Sequence, residues 1–254
     1  MRIKITIQYK GTNYCGWQVQ PNGVTVQELI QKALARIFQK KINVIGSGRT
    51  DSGVHALGQV AHFDVEGEIN FPKFIHSLNS LLPDDIGIIS AKKVPGTFHA
   101  QLTAKKKTYV YTLLNSRMRS VFLNDTVWQV IPSLDIKAMK KAAKYLIGIH
   151  DFKSFCAADS TAKTTVRKIY KITITKIPPR PPLKKGGWGD LIQISITGNG
   201  FLKQMVRSIV GTLVEVGRGK RSVSDFQKIL KACDRKKAGK TAPAKGLMLK
   251  EVIY

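Results

Sequence analysis

Eight residues, Gly48-Arg49-Thr50-Asp51-Ser52-Gly53-Val54-His55, bring two glycines, an Arg, an Asp and a His into one short stretch. An ionised carboxylate in such a place can stabilise or trap a developing positive charge, or attack an electrophile covalently. The stretch follows the apolar run Ile42 to Ile45 and precedes Val60 to Val65, so it reads as a tight loop between two strands with Asp51 at its tip. Gly48 and Gly53 would relieve backbone limits, and Thr50 and Ser52 would fix the turn locally. A plain Asx-turn is the ordinary use of Asp-Ser-Gly. The neighbouring Arg49 and the basic surroundings weaken that reading without deciding between the two.

Two further groups are candidates. Tyr109 and Tyr111 alternate on one strand face, either as half-buried strand aromatics or as plates for a nucleobase. Arg207 lies beside the apolar face of a helix, with Lys203 and Gly211 on its stripe. It is either a solvated basic edge or an inward cation, and an inward Arg requires a carboxylate partner. Other motifs fail. Gly239-Lys240-Thr241 resembles a phosphate loop, but Asp234 stands where its first glycine belongs. There is no Gly-x-Ser-x-Gly and no His-Glu-x-x-His. His62, His76 and His150 have no ligand spacing and read as packing or surface residues. Cys15, Cys156 and Cys233 form neither a zinc pattern nor a disulfide framework, so no metal and no cofactor is expected.

The chain of 254 residues is 43% hydrophobic, enough for a sizeable core in one large domain or two small ones. Its 42 Lys+Arg against 16 Asp+Glu give a net charge of +26, which favours a polyanion partner, nucleic acid before membrane. No membrane-spanning run and no signal-peptide core is evident, so a soluble, cytoplasmic protein is expected.

The elements that must position these residues follow from periodicity. Ile3, Ile5 and Ile7 alternate as a strand. A polar loop with Tyr14, Trp17, Gln18 and Gln20 leads to a capping box, Thr25-x-x-Glu28, and a helix. Strands at Ile42–Ile45 and Val60–Val65 flank the Asp51 loop; a helix from Pro72 and a strand at Ile86–Ala91 complete a β-α-β-β-α-β order. The second half reads likewise: strand Thr108–Leu114, a helix capped by Ser133, strands Ile169–Ile177 and Leu191–Ile196, a helix with Leu202, Met205, Ile209 and Leu213, a short helix capped by Ser224, and a last strand Met248–Ile253. The stretch Pro178–Pro182 reads as stiff, and Lys184–Gly187 as a flexible exposed tip. The expected class is α+β, with two ferredoxin-like halves, 1–104 and 105–254, around a central cleft.

The Asp51 loop, extended by Ala56 and Gly58-Gln59-Val60, resembles the catalytic loop of the tRNA pseudouridine synthase A family. Gly11-Thr12-x-Tyr14-x-Gly16-Trp17-Gln18, Phe98-His99-Ala100, Tyr109-x-Tyr111, Asp151-Phe152-x-Ser154-Phe155, Phe201-Leu202-x-x-Met205-Val206-Arg207 and Thr241-Ala242-Pro243-x-x-Gly246-Leu247 follow in that family's order. The resemblance implies isomerisation of uridine to pseudouridine at positions 38, 39 and 40 of the tRNA anticodon stem-loop. It also implies a mixed sheet of pseudouridine-synthase type, a homodimer and no cofactor. By the same resemblance Asp51 is the catalytic aspartate, Tyr109 contacts the target base and Arg207 pairs with Asp51. Arg49, Phe98, His99, Ala100, Gln101, Leu102, Asp159, Ser160, Thr161, Ala162 and Lys163 fall in tRNA-contacting segments. Two positions depart from the family pattern. Gln101 replaces an Arg after Phe-His-Ala, and Lys163-Thr164-Thr165 replaces Arg-Thr-Pro. Each loses an arginine able to fork onto phosphate. A non-catalytic tRNA-binding protein on the same fold is the alternative; it leaves Asp51 without a task.

Overall fold

The computed structural model describes residues 1–177 and 189–254; the proline-rich stretch Pro178–Pro182 and the tip Lys184–Gly187 lie outside the described residues. The chain forms two compact units, Met1–Lys107 with Met248–Tyr254, and Thr108–Leu247.

The first unit runs β1 (Arg2–Tyr9), α1 (Val26–Phe38), β2 (Ile45–Gly46), β3 (His55–Asp64), α2 (Phe71–Leu81) and β4 (Ile86–Val94). β1 is antiparallel to both neighbours, with Ile5 opposite Ala61 of β3 and Ala91 of β4. Ile3, Ile5 and Ile7 are wholly buried along one face, as their alternation predicts. Each is worth about 1.5–3 kcal/mol of burial. Phe38 of α1, Phe63 of β3 and Phe74 of α2 form one aromatic cluster with centroids 5.9–6.4 Å apart. Thr25 caps α1 by accepting from Glu28 N, while the Glu28 carboxylate meets Lys32 at 2.7 Å.

The expected strand Ile42–Ile45 contracts to β2, two residues paired with Ala61 and His62. Side chains of α1 occupy the backbone upstream: Gln27 Nε2 donates to Val44 O at 2.7 Å, and Val44 N donates to Gln31 Oε1 at 3.4 Å. Ile42 and Val44 are buried without a ladder. The last strand, β10 (Leu247–Ile253), runs parallel to β3, with Met248 opposite His55. It therefore packs with the first unit, although its sequence position suggests the second.

The second unit carries β5 (Lys106–Asn115, its first residues shared with the first unit), β6 (Trp128–Val130), α3 (Ile136–Ala143), β7 (Gly148–Asp151), β8 (Val166–Ile177), β9 (Asp190–Gly198), α4 (Met205–Gly217) and α5 (Val223–Ala232). The strand order is β5-β9-β8-β7, with β6 beside β5. Periodicity does not predict β6 or β7; at three and four residues neither shows a period. Met139, Ala142, Leu146, Ile209, Val210 and Leu213 are fully buried, and Phe155 stacks on Phe226 at 5.7 Å.

Two caps differ from the reading above. Asp135, not Ser133, caps α3, accepting from Ala138 N at 2.9 Å; Ser133 lies too early to reach an N-terminal amide. Ser222, not Ser224, caps α5. Ser222 and Asp225 form a reciprocal capping box, with Asp in the place usually held by Glu or Gln.

Candidate active site

The Asp51 loop is anchored chiefly by bonds from distant parts of the chain. Tyr9, the last residue of β1, places its hydroxyl 2.8 Å from Thr50 Oγ1 with both groups buried. Burial pushes that tyrosine hydroxyl above its ordinary range. Trp17 N donates to Thr50 O at 3.2 Å, and Gly53 N donates to Tyr14 O at 3.3 Å. Ser52 Oγ also donates to Tyr14 O. Gly11 N donates to Nδ1 of His55 at 3.0 Å. From β3, Gln59 Oε1 accepts from Ser47 Oγ at 2.7 Å and Gln59 Nε2 donates to Gly48 O at 2.9 Å. Inside the loop, Val54 N donates to Asp51 O at 3.1 Å.

Thr50 and Ser52 thus serve as ties to residues 9 and 14, not as local turn formers. Gly53 does adopt a positive φ, +75°, whereas Gly48 does not. Asp51 is half-buried and Arg49 exposed. The polar loop around Gly11 to Gln18 is accordingly a folded clamp: Trp17 is 2% exposed, and Tyr14 donates its hydroxyl to Asp85.

In the second unit, Tyr109 of β5 is buried edge-on against Phe201, centroids 5.1 Å apart at 81°. Tyr111, fully buried, donates to Pro243 O at 2.8 Å. Burial raises its hydroxyl, and the charge of Arg207 opposes that rise, so the guanidinium lies near this ring. Arg207, half-buried on α4, donates from Nε to Ala242 O at 2.8 Å while its own carbonyl accepts from Ala242 N at 3.1 Å. These reciprocal bonds fix the Thr241-Ala242-Pro243 motif across α4. Arg207 is therefore an inward-turned residue, not a solvated edge; Lys203 on the same stripe is exposed and pairs with Asp159 at 2.5 Å.

The segment Phe98–Leu102 is folded onto the first unit. His62 is buried and accepts at Nδ1 from Ala100 N at 3.2 Å; burial is the main cause of its lowered pKa. Tyr254 donates to Ala100 O at 2.7 Å and its ring lies 4.8 Å from that of Phe98. His99 Nδ1 accepts from Gln101 N and Leu102 N, both 3.2 Å, leaving the Leu102 side chain 78% exposed. In the second unit, Asp159 to Lys163 is held by Ser160 N to Ala157 O, 3.1 Å, and by the Asp159–Lys203 pair. Ser160, Thr161, Ala162 and Lys163 are half-buried to exposed. Sequence reasoning missed the anchors Tyr9, Gln59 and Lys107. Tyr9 and Lys107 carry no motif signal of their own, and Gln59 stood only in the motif.

A family model described as tRNA pseudouridine synthase matches residues 5–103 and 142–254. That match, with the α+β fold, gives the class: an isomerase of the pseudouridine synthase type. The chain is 46% identical over 252 residues to the tRNA pseudouridine synthase A of Thermoanaerobacter sp. (strain X514), covering 99% of both proteins. It is 47% identical over 253 residues to that of Brevibacillus brevis, covering 100% of this chain and 99% of the relative, and 42% identical to that of Myxococcus xanthus. The chain belongs to the tRNA pseudouridine synthase A family.

Proposed function

We propose that this tRNA pseudouridine synthase isomerises uridines 38, 39 and 40 of the tRNA anticodon stem-loop, with Asp51 as its catalytic aspartate. The observation that carries the reading is the anchoring of the loop on both sides of Asp51. Thr50, Ser52, Gly53 and His55 make anchoring bonds on both sides of the half-buried Asp51. A loop so restrained holds a reactive group to the small tolerance that catalysis requires.

Breaking the N1–C1′ bond leaves electron-poor ribose and electron-rich uracil, as in glycoside cleavage. The Asp51 carboxylate serves the electron-poor centre, either by charge or by a covalent bond. The uracil turns, C5 bonds to C1′, the C5 proton leaves and N1 is protonated, so atoms balance without an electron carrier. In this reading Arg207 pairs with Asp51 and offsets its desolvation, and Tyr109 lies on the base. Arg49, Phe98 to Leu102 and Asp159 to Lys163 contact the tRNA, and the target base leaves its stack first. The net charge of +26 supplies phosphate attraction, which weakens as salt rises. The reading extends to a homodimer working in the cytoplasm.

Release of tritium from C5-labelled uridine tests the positions. Transcripts keeping uridine at only one of 38, 39 and 40 should each support turnover, and a transcript lacking all three should support none. Turnover on that last transcript would refute the assignment of positions. Light scattering of the protein at micromolar concentration should give twice the 28.2 kDa chain mass; a monomer would remove the dimer from the account.

A further inference from the structure

Lys107, at the start of β5 and two residues before Tyr109, ends beneath the Asp51 loop. Its Nζ donates to Ser47 O at 2.5 Å. Ser47 is itself fully buried and bonded to Gln59 and to Val60 O, so the lysine grips the loop at its fixed base. Burial lowers the Lys107 ammonium to about 8, a cost that a surface lysine would not bear.

Gly48 supplies a second, independent observation. Its backbone is not in the left-handed region, so conformation does not demand glycine there. A Cβ at this position would meet one atom within 4 Å, Lys107 Nζ, at 3.1 Å. Lysine end groups ordinarily swing aside at little cost. This one is tethered to Ser47 O at 2.5 Å in a half-buried site, so the few tenths of an ångström it must yield are taken against that bond and the backbone it holds.

We propose that Lys107 is a positioning residue for the catalytic loop, and that Gly48 is glycine so that the Lys107 amine can pass beneath it to reach Ser47 O. The inference rests on the reading of Asp51 as the catalytic group. Lys107 need not touch the substrate; it sets where the Ser47–Asp51 backbone lies. Loss of its bond lets the loop relax, and a displacement near 1 Å of a reacting group costs on the order of a hundredfold in rate.

A double-mutant cycle tests this, with kcat and KM measured by tritium release and tRNA affinity measured separately. Lys107→Ala is expected to lower kcat by at least about tenfold, within that displacement range, with KM and tRNA binding unchanged. Gly48→Ala is expected to lower kcat in the wild-type background and to have no effect in the Lys107→Ala background, where the added methyl meets nothing. Should Lys107→Ala fold poorly by denaturant titration, Lys107→Met keeps the stem and removes only the donor. Equal losses from Gly48→Ala in both backgrounds, an unchanged kcat for Lys107→Ala and →Met, or a loss confined to KM would each overturn the proposal. Failure of the Asp51 reading looks different: Asp51→Ala would then retain turnover, whatever the cycle gives.

Discussion

The Asp51 loop and the segment Asp159–Lys163 are both short connections rich in polar residues, yet they are built in opposite ways. The first is tied to residues 9, 11, 14, 17, 59 and 107 through buried or half-buried bonds. The second rests on local turn bonds and one exposed ion pair, and exposed pairs contribute little. A segment that positions reacting atoms tolerates no drift, while a segment that meets a flexible, hydrated polyanion can exchange one contact for another.

Mutations that loosen the tight loop should have the largest effects. Gly16 has φ +83° and a Cβ there would collide with Thr50 O. Gly16→Ala should cost about 2–5 kcal/mol from strain and overpacking together, read by urea titration, and lower kcat. Tyr9→Phe leaves the buried Thr50 hydroxyl without its 2.8 Å partner and should cost about 1–3 kcal/mol.

A smaller effect is expected from Lys107 with pH. Its folded pKa of about 8 lies below the unfolded value of 10.5, so the unfolded chain binds more protons between these limits. Stability from this group therefore rises as pH climbs from about 8 to 10.5. Denaturation midpoints of Lys107→Met should show a shallower rise than wild type over that range; parallel profiles would contradict it.

Changes at exposed side chains outside the Asp51 loop should move binding alone. Gln101→Arg should tighten tRNA binding by about 1–3 kcal/mol if a forked phosphate contact forms, with kcat unchanged. Lys203→Ala should leave the denaturation midpoint where it is, because its pair with Asp159 is exposed. A large stability loss there would erase the contrast between the two segments.

Much of this architecture is legible in the residues themselves. The alternation of Ile3, Ile5 and Ile7 and the apolar face of α4 place the main elements, and the motif resemblance singles out Asp51, Tyr109 and Arg207. The anchoring is not legible. Tyr9 to Thr50 and Lys107 to Ser47 join residues 41 and 60 positions apart, and neither partner advertises the other. β2 is short because Gln27 and Gln31 claim the Val44 backbone, a tertiary override of a good strand run. The assignment of β10 to the first unit depends on parallel pairing with β3, which no local pattern encodes.

The central claim is that Asp51 performs the chemistry while its neighbours hold it still. Tritium release from C5-labelled uridine in unmodified tRNA, measured for wild type and Asp51→Ala with tRNA binding checked for both, tests it most directly. The account predicts release by wild type, a loss on the order of a thousandfold or more in the variant, and equal binding by both. Comparable release by the variant would contradict it and return Asp51 to the role of a turn residue.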